Sequence, residues 1–338
     1  MPKAEWLDPD HSAPNGTQYK TFPSKVLGRQ VSYLLWLPPG YEQQENRYPV
    51  IYWLHGMGGN QRAGATIFVP QVAAAIKDGL LPPAIVVLVN GMVKSFYCDA
   101  SDGQCPMESV IIKDLIPHVD QTYRTMAQRE GRVLEGYSMG GYGAGHLGFK
   151  YPDLFGTVVI NAGALLDPSL MNIPKDGPMF AVFGADNERR LAEHPRTLAR
   201  QNADKLRGKT RIRIGCGSLD NLLPRNQDLH EQLTQLGIQH EFAIVPDVAH
   251  NSLLYYRKLG TNMFEFHRKS LEAQDRLKQA TRPARSLPGK DGTSPRAWGE
   301  LRLLAIGYCL SRTIPTRLWK TSGARTAVSA TVEHPPRR

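Results

Sequence analysis

The segment Glu135-Gly136-Tyr137-Ser138-Met139-Gly140-Gly141 decides how the rest of the chain is read. It has the form G-x-S-x-G. Before it stands the buried-strand prefix Arg132-Val133-Leu134, and after it the small residues Gly140, Gly141, Gly143, Ala144 and Gly145. The pattern reads as a sharp turn from strand into helix, with glycine two residues either side of the serine because larger residues would collide with the neighbouring strand or helix. Ser138 is the candidate nucleophile. The plainer reading is a glycine-rich turn with an idle serine, and the flanking strand and helix patterns weigh against it.

Outward from this turn, continuous apolar runs alternate with helical patterns. Residues 17–27 and 29–37 alternate as two strands around Gly28, which predicts an antiparallel N-terminal hairpin. Buried strands are expected over 49–56, 84–90, 132–137, 157–162, 211–216 and 241–245. Helices are expected over 65–77, 108–123, 188–206, 226–236 and 253–271, with a long aromatic loop over 91–107. This order predicts an α/β fold: a mostly parallel central sheet with helices on both faces. In such sheets reactive groups gather beyond the carboxyl ends of the strands. The sequence divides into a flexible lead-in (1–16), a folded domain (17–278) and a basic Pro/Arg/Ser-rich tail (279–338) read as disordered, with a short helix possible only over 301–310.

At 338 residues, with 41% hydrophobic and 21% charged residues, the chain can bury a full core. The net charge of +10 is unevenly placed. Residues 281–338 carry 11 Lys and Arg against 3 Asp and Glu, leaving +2 on everything before them. No nucleic-acid partner is therefore expected for the folded part, and any contact with an anionic surface is expected of the tail. Four cysteines lack metal-ligand spacing. Cys98 and Cys105 can either pair across a loop or remain reduced thiols. The start, Met1-Pro2-Lys3-Ala4-Glu5-Trp6, lacks an apolar signal core, which predicts a cytoplasmic chain.

A serine hydroxyl needs a base to take its proton, and the base needs an acid to hold its tautomer. His250 follows the final strand in a loop, whereas His55, His118, His146, His194, His230 and His267 sit in or beside helices or against the first glycine loop, where structural roles are expected. For the acid, Asp220 competes with Asp186 and Asp247. Asp220 lies one strand before the histidine strand, on a loop of its own that can reach the imidazole, while Asp247 reads as a turn residue. The resulting order, Ser138, Asp220, His250, is that of α/β-hydrolases. Negative charge on a substrate oxygen calls for fixed N–H donors, expected from the backbones of Met57 and Met139. The loop His55-Gly56-Met57-Gly58-Gly59 carries neither phosphate-binding glycine pattern, so a nucleotide site is not expected. Phe96, Tyr97 and Tyr137, with Tyr142 and Tyr255, are candidates for an aromatic substrate wall, against the alternative of ordinary packing.

With these residues in hand, the chain resembles the esterase D and feruloyl esterase-like family of the α/β-hydrolase superfamily. The likeness runs over about 17–271. It rests on the stretches 48–59 and 136–141, on Gly217-Ser218-Leu219-Asp220 followed by Leu222-Leu223-Pro224, and on Val245-Pro246-Asp247-Val248-Ala249-His250. The resemblance implies the same residues in the same roles: Ser138, Asp220 and His250, with the Met57 and Met139 amides. It implies no metal and no organic cofactor. Feruloyl-type members are often secreted, and the basic tail has no counterpart in the family core.

The expected function is a serine carboxylesterase acting on short acyl or aromatic esters, feruloyl or acetyl groups on carbohydrate among them. A thioesterase of the S-formylglutathione hydrolase type ranks lower, because the glycine loop here lacks that group's cysteine. Acyl transfer uses the same acyl-enzyme. A catalytically silent hydrolase fold used for binding is the reading from another class.

Overall fold

Alternate residues of the central strands feed two hydrophobic clusters, one on each face of an eight-stranded sheet, in the computed structural model. It describes residues 5–166, 174–175 and 177–281. Strand β3 (Val50–Leu54) shows the rule: all five residues are buried, with Tyr52 and Leu54 in one cluster and Ile51 and Trp53 in the other. A strand covered on both faces has no polar side to show, which is why its sequence does not alternate.

The other strands are β1 (Gln18–Ser24), β2 (Arg29–Trp36), β4 (Ile85–Val89), β5 (Arg132–Tyr137), β6 (Thr157–Asn161), β7 (Arg211–Gly217) and β8 (His240–Val245). They lie in the order β1-β2-β4-β3-β5-β6-β7-β8. The hairpin β1–β2 and the β2–β4 pair are antiparallel, and all remaining pairs are parallel. The expected α/β architecture is therefore the observed one. From β3 the chain first adds β4 on one side and then β5 on the other, so winding reverses there. In sheets wound this way the reversal point, at the carboxyl ends of the strands, is where ligands generally bind.

Several expectations are corrected. The lead-in expected to be flexible packs against the sheet: Trp6 is buried, Asp8 N–H donates to Ser32 Oγ at 3.0 Å, and Arg62 Nη1 holds the Asp8 carboxylate at 2.7 Å. An indole and a paired carboxylate anchor what looks, in sequence, like a polar turn-rich leader. The helix expected over 65–77 is two, Gln61–Ile67 and Val69–Lys77, because Pro70 lacks the N–H that would continue the first ladder. The 188–206 pattern breaks into Asn187–Ala192, Pro195–Gln201 and Ala203–Leu206, with Pro195 opening the second. The closing helix is Ser252–Leu259, then a tight turn at Gly260, then Phe264–Thr281. The remainder of the tail and the helix expected over 301–310 lie outside the described residues.

Candidate active site

Ser138 sits between β5 and the helix Met139–Lys150 with φ 60° and ψ −116°, a backbone conformation that side-chain-bearing residues rarely adopt. Its surroundings hold it there. Ser138 N–H donates to the Asn161 carbonyl, and its own carbonyl accepts from Tyr142 and Ala164 N–H, each at 2.9 Å. The glycines around it make the turn sterically possible. A Cβ on Gly136 would lie 2.1 Å from the Gly140 carbonyl oxygen, and one on Gly140 would lie 2.0 Å from that of Leu54. The helix start is thus pressed onto the ends of β5 and β3, and the serine side chain projects from the sheet edge.

The loops after β7 and β8 are stitched together. Ser218 N–H donates to the Val245 carbonyl, Leu219 N–H to that of Val248, and Asp247 N–H to Ser218 Oγ. Gly217 lets them touch, since a Cβ there would be 2.1 Å from Val248 O. This contact delivers His250 beside Asp220: Nδ1 lies 2.8 Å from Asp220 Oδ2, and Nε2 lies 2.9 Å from Ser138 Oγ. The Asp220 side chain is wholly buried, and its Oδ1 accepts from Leu222 N–H at 2.8 Å. An ionised carboxylate only accepts, so Nδ1 carries the proton and Nε2 is left to accept from the serine hydroxyl. The imidazole itself is a third exposed.

The rival carboxylates are engaged elsewhere. Asp186 caps the helix Asn187–Ala192 by accepting from Arg189 N–H at 2.8 Å. Asp247 is a left-handed turn residue 3.6 Å from Lys258 Nζ.

Met139 opens its helix, where an N–H has no intrahelical acceptor. Met57 follows Gly56, and a Cβ on Gly56 would be 3.4 Å from Ser138 Cβ. The Gly56 carbonyl accepts from His55 Nδ1 at 2.8 Å and from Gly59 N–H at 3.2 Å. In a trans peptide that fixed carbonyl directs the Met57 N–H from the opposite edge. Burial pushes the His55 imidazole down to about 4, so it stays neutral, with Nε2 accepting from Gly91 N–H at 3.1 Å.

The aromatic wall is corrected. Tyr97 is fully buried: its hydroxyl donates to the His55 carbonyl at 3.0 Å, and its ring fills the space left by Gly91 and Gly143. Phe96 is 2% exposed and meets Tyr142 edge to face. Tyr137 is 3% exposed, with its ring centroid 5.2 Å from that of His250. These residues, like the fully buried Tyr142 and Tyr255, support the site from below and offer a substrate almost no surface. Apolar side chains beside the site residues that do reach solvent include Met57 and Leu219, which are 50% and 66% exposed. A leucine between Ser218 and Asp220, in an otherwise polar turn, is the signal that sequence reading passed over.

Cys98, Cys105 and Cys216 are buried free thiols. Burial, aided by nearby carboxylates, pushes Cys105 and Cys216 up to about 12, which leaves almost no thiolate at neutral pH. Glu108, His146 and Glu193 bring ligand-type atoms within 4.8 Å of one another. Lys150 Nζ already sits 2.9 Å from Glu108 and 2.6 Å from Glu193, so an ammonium supplies the positive charge there.

The site and its scaffold can be set beside known proteins. Residues 24–276 match the family described as "Putative esterase". The chain is 31% identical over 183 residues to the endo-1,4-beta-xylanase/feruloyl esterase of Xylanibacter ruminicola, covering 51% of the chain and 25% of that protein. The chain therefore spans a quarter of that relative's length. It is 24% identical over 270 residues to the acetyl esterase of Caldicellulosiruptor saccharolyticus, covering 73% of the chain and 96% of that protein. Among solved structures, a ferulic acid esterase superposes with a TM-score of 0.66 at 22% identity, covering 77% of this chain and all of that one. With three quarters of its length inside one family match, the chain belongs to the Putative esterase family.

Proposed function

We propose that the protein is a serine carboxylesterase acting on short-chain acyl or aromatic esters, of the acetyl or feruloyl type, carried on small molecules or carbohydrate. The observation that carries this reading is the relay from buried Asp220 through His250 to Ser138, with bonds of 2.8 and 2.9 Å.

In the proposed reaction Ser138 Oγ forms a bond to the ester carbonyl carbon while its proton passes to His250 Nε2. The carbonyl π electrons move onto oxygen, where the Met57 and Met139 N–H groups hold the charge; each such donor is worth about 3 kcal/mol. Collapse breaks the carbon–oxygen bond to the alcohol, which leaves with the proton from His250. Water then gives a proton to His250 and its oxygen to the acyl carbon. The carboxylic acid departs, and the proton returns to Ser138. Asp220 keeps Nδ1 protonated throughout and stabilises the imidazolium as it forms. The substrate class is supported by the relatives' names, a feruloyl esterase and an acetyl esterase.

The test compares hydrolysis of p-nitrophenyl acetate and methyl ferulate by the wild-type chain and by Ser138→Ala. A loss of about 10⁴-fold or more in kcat is expected. Equal rates would remove Ser138 from the mechanism.

A further inference from the structure

Tyr137 is the last residue of β5, directly before Ser138, and its backbone lies opposite Asn161 of β6. Its ring lies against that of His250, with centroids 5.2 Å and planes 33° apart, so the two are nearer to parallel than to edge-on. Behind it stand the rings of Tyr255 and Tyr256, at 5.5 and 6.3 Å. Both are fixed by buried bonds: Tyr255 Oη donates to Asn161 Oδ1 at 2.9 Å, and Tyr256 Oη donates to Glu135 Oε1 at 3.0 Å. These two tyrosines belong to the helix Ser252–Leu259, which begins two residues after His250. One ring is thus wedged between the strand that ends at the nucleophile and the helix that follows the base.

The imidazole needs such a contact. Its hydrogen bonds to Asp220 and Ser138 run through Nδ1 and Nε2, and these two points define an axis in the ring plane. Bonds along one axis leave the ring free to roll about it, and a roll swings the Nε2 lone pair off the line to the serine hydroxyl. A flat surface against the ring face stops the roll. With both nitrogens engaged, the Tyr137 hydroxyl is not needed to hold the imidazole; the face of the ring is what bears on it.

The same face also meets a change of charge. An aromatic face carries negative electrostatic potential, and a cation within about 6 Å of the centroid is drawn to it. Burial, reinforced by the Asp220 carboxylate and the Cys216 thiol, pushes the Tyr137 phenol above its ordinary value, so the ring itself stays neutral. In the proposed reaction His250 is neutral when substrate arrives and positive while the tetrahedral intermediate stands. The attraction therefore operates in the transition state and not in the substrate complex, which is the condition for raising kcat without lowering KM.

We infer that Tyr137 is a positioning residue for His250: the face of its ring sets the roll of the imidazole and attracts the positive charge it carries during acyl transfer. The inference rests on the esterase reading above.

The experiment compares wild type with Tyr137→Phe, which keeps the face and drops the hydroxyl, and with Tyr137→Met, which keeps apolar bulk and drops the face. Each is assayed on p-nitrophenyl acetate and titrated with phenylboronic acid. In that adduct Ser138 Oγ bonds to boron and its proton passes to His250, leaving a boronate anion beside an imidazolium. Tyr137→Phe is expected to stay within about twofold of wild type in kcat, KM and boronate dissociation constant. Tyr137→Met is expected to lose about tenfold in kcat and in boronate affinity, with KM within about threefold. A methionine variant that keeps its kcat, or that loses through KM while binding boronate normally, would overturn the assignment. So would a phenylalanine variant as impaired as the methionine one. Should Tyr137→Met not fold, Tyr137→Phe decides alone, since a tenfold loss there would place the effect in the hydroxyl. If wild type hydrolyses no ester, the esterase reading falls and Tyr137 is judged by the boronate dissociation constants. Equal constants, or no binding at all, would then remove it from this role.

Discussion

His55 Nδ1 lies 2.8 Å from the carbonyl oxygen of Gly56, while the same ring accepts from Gly91 N–H through Nε2. One neutral imidazole thereby fixes the carbonyl on one edge of the peptide whose other edge carries the Met57 N–H. His55→Ala is expected to release that peptide and lower kcat on p-nitrophenyl acetate by up to about 10²-fold, with a smaller change in KM. An unchanged kcat would mean that the loop is held by other contacts, Gly59 N–H on Gly56 O among them.

The same imidazole makes stability depend on pH. Burial lowers it from the ordinary histidine value to about 4, so on acidification the unfolded chain takes up the proton before the folded one does. Its contribution is fully present above about pH 6.5 and is lost as pH falls towards about 4. Thermal midpoints measured stepwise across that window should fall more steeply for wild type than for His55→Gln, and parallel curves would contradict this assignment.

Ser138 holds a backbone conformation that suits glycine better than serine. Ser138→Gly and Ser138→Ala should both abolish ester hydrolysis, yet the glycine variant should be more stable in urea by about 1–2 kcal/mol. Equal midpoints would show that the turn stores no strain.

Glu135, the residue that opens the serine motif, is wholly buried against His267, Oε2 to Nε2 at 2.6 Å, and its Oε1 accepts from Asn161 and Tyr256. This network ties the helix that follows His250 to the strand that precedes Ser138. His267→Leu leaves the carboxylate without its partner and should cost about 3–5 kcal/mol in unfolding free energy. The paired change Glu135→Leu with His267→Leu should recover part of that loss, and additive losses would argue against coupling.

Buried aromatics and exposed aliphatics should part company in kinetics. Tyr97→Ala is expected to cost about 3–5 kcal/mol of stability. Leu219→Ala removes exposed apolar surface beside Asp220 and should raise KM for longer acyl chains by less than about tenfold, with little effect on p-nitrophenyl acetate. A selective KM effect from Tyr97 with unchanged stability would reverse the assignment of the two side chains.

The chain by itself determines the sheet and its reactive edge. Doubly buried strands such as Val50–Leu54 must be continuous apolar runs, and a serine flanked by Gly136 and Gly140 must turn sharply, because no Cβ fits 2 Å from a carbonyl oxygen. These are local requirements, so they are written locally. Which carboxylate meets His250, whether Tyr97 faces substrate or core, and whether residues 5–10 dangle or pack against the sheet are settled only in three dimensions. Asp186, Asp220 and Asp247 each follow or adjoin a plausible strand end. It is the contact of Gly217 with Val248, across two loops, that delivers Asp220 and leaves the others to cap a helix and turn a corner. Tyr97 and Trp6 are claimed by packing partners far along the chain, and pattern within a short window carries no trace of partners that distant.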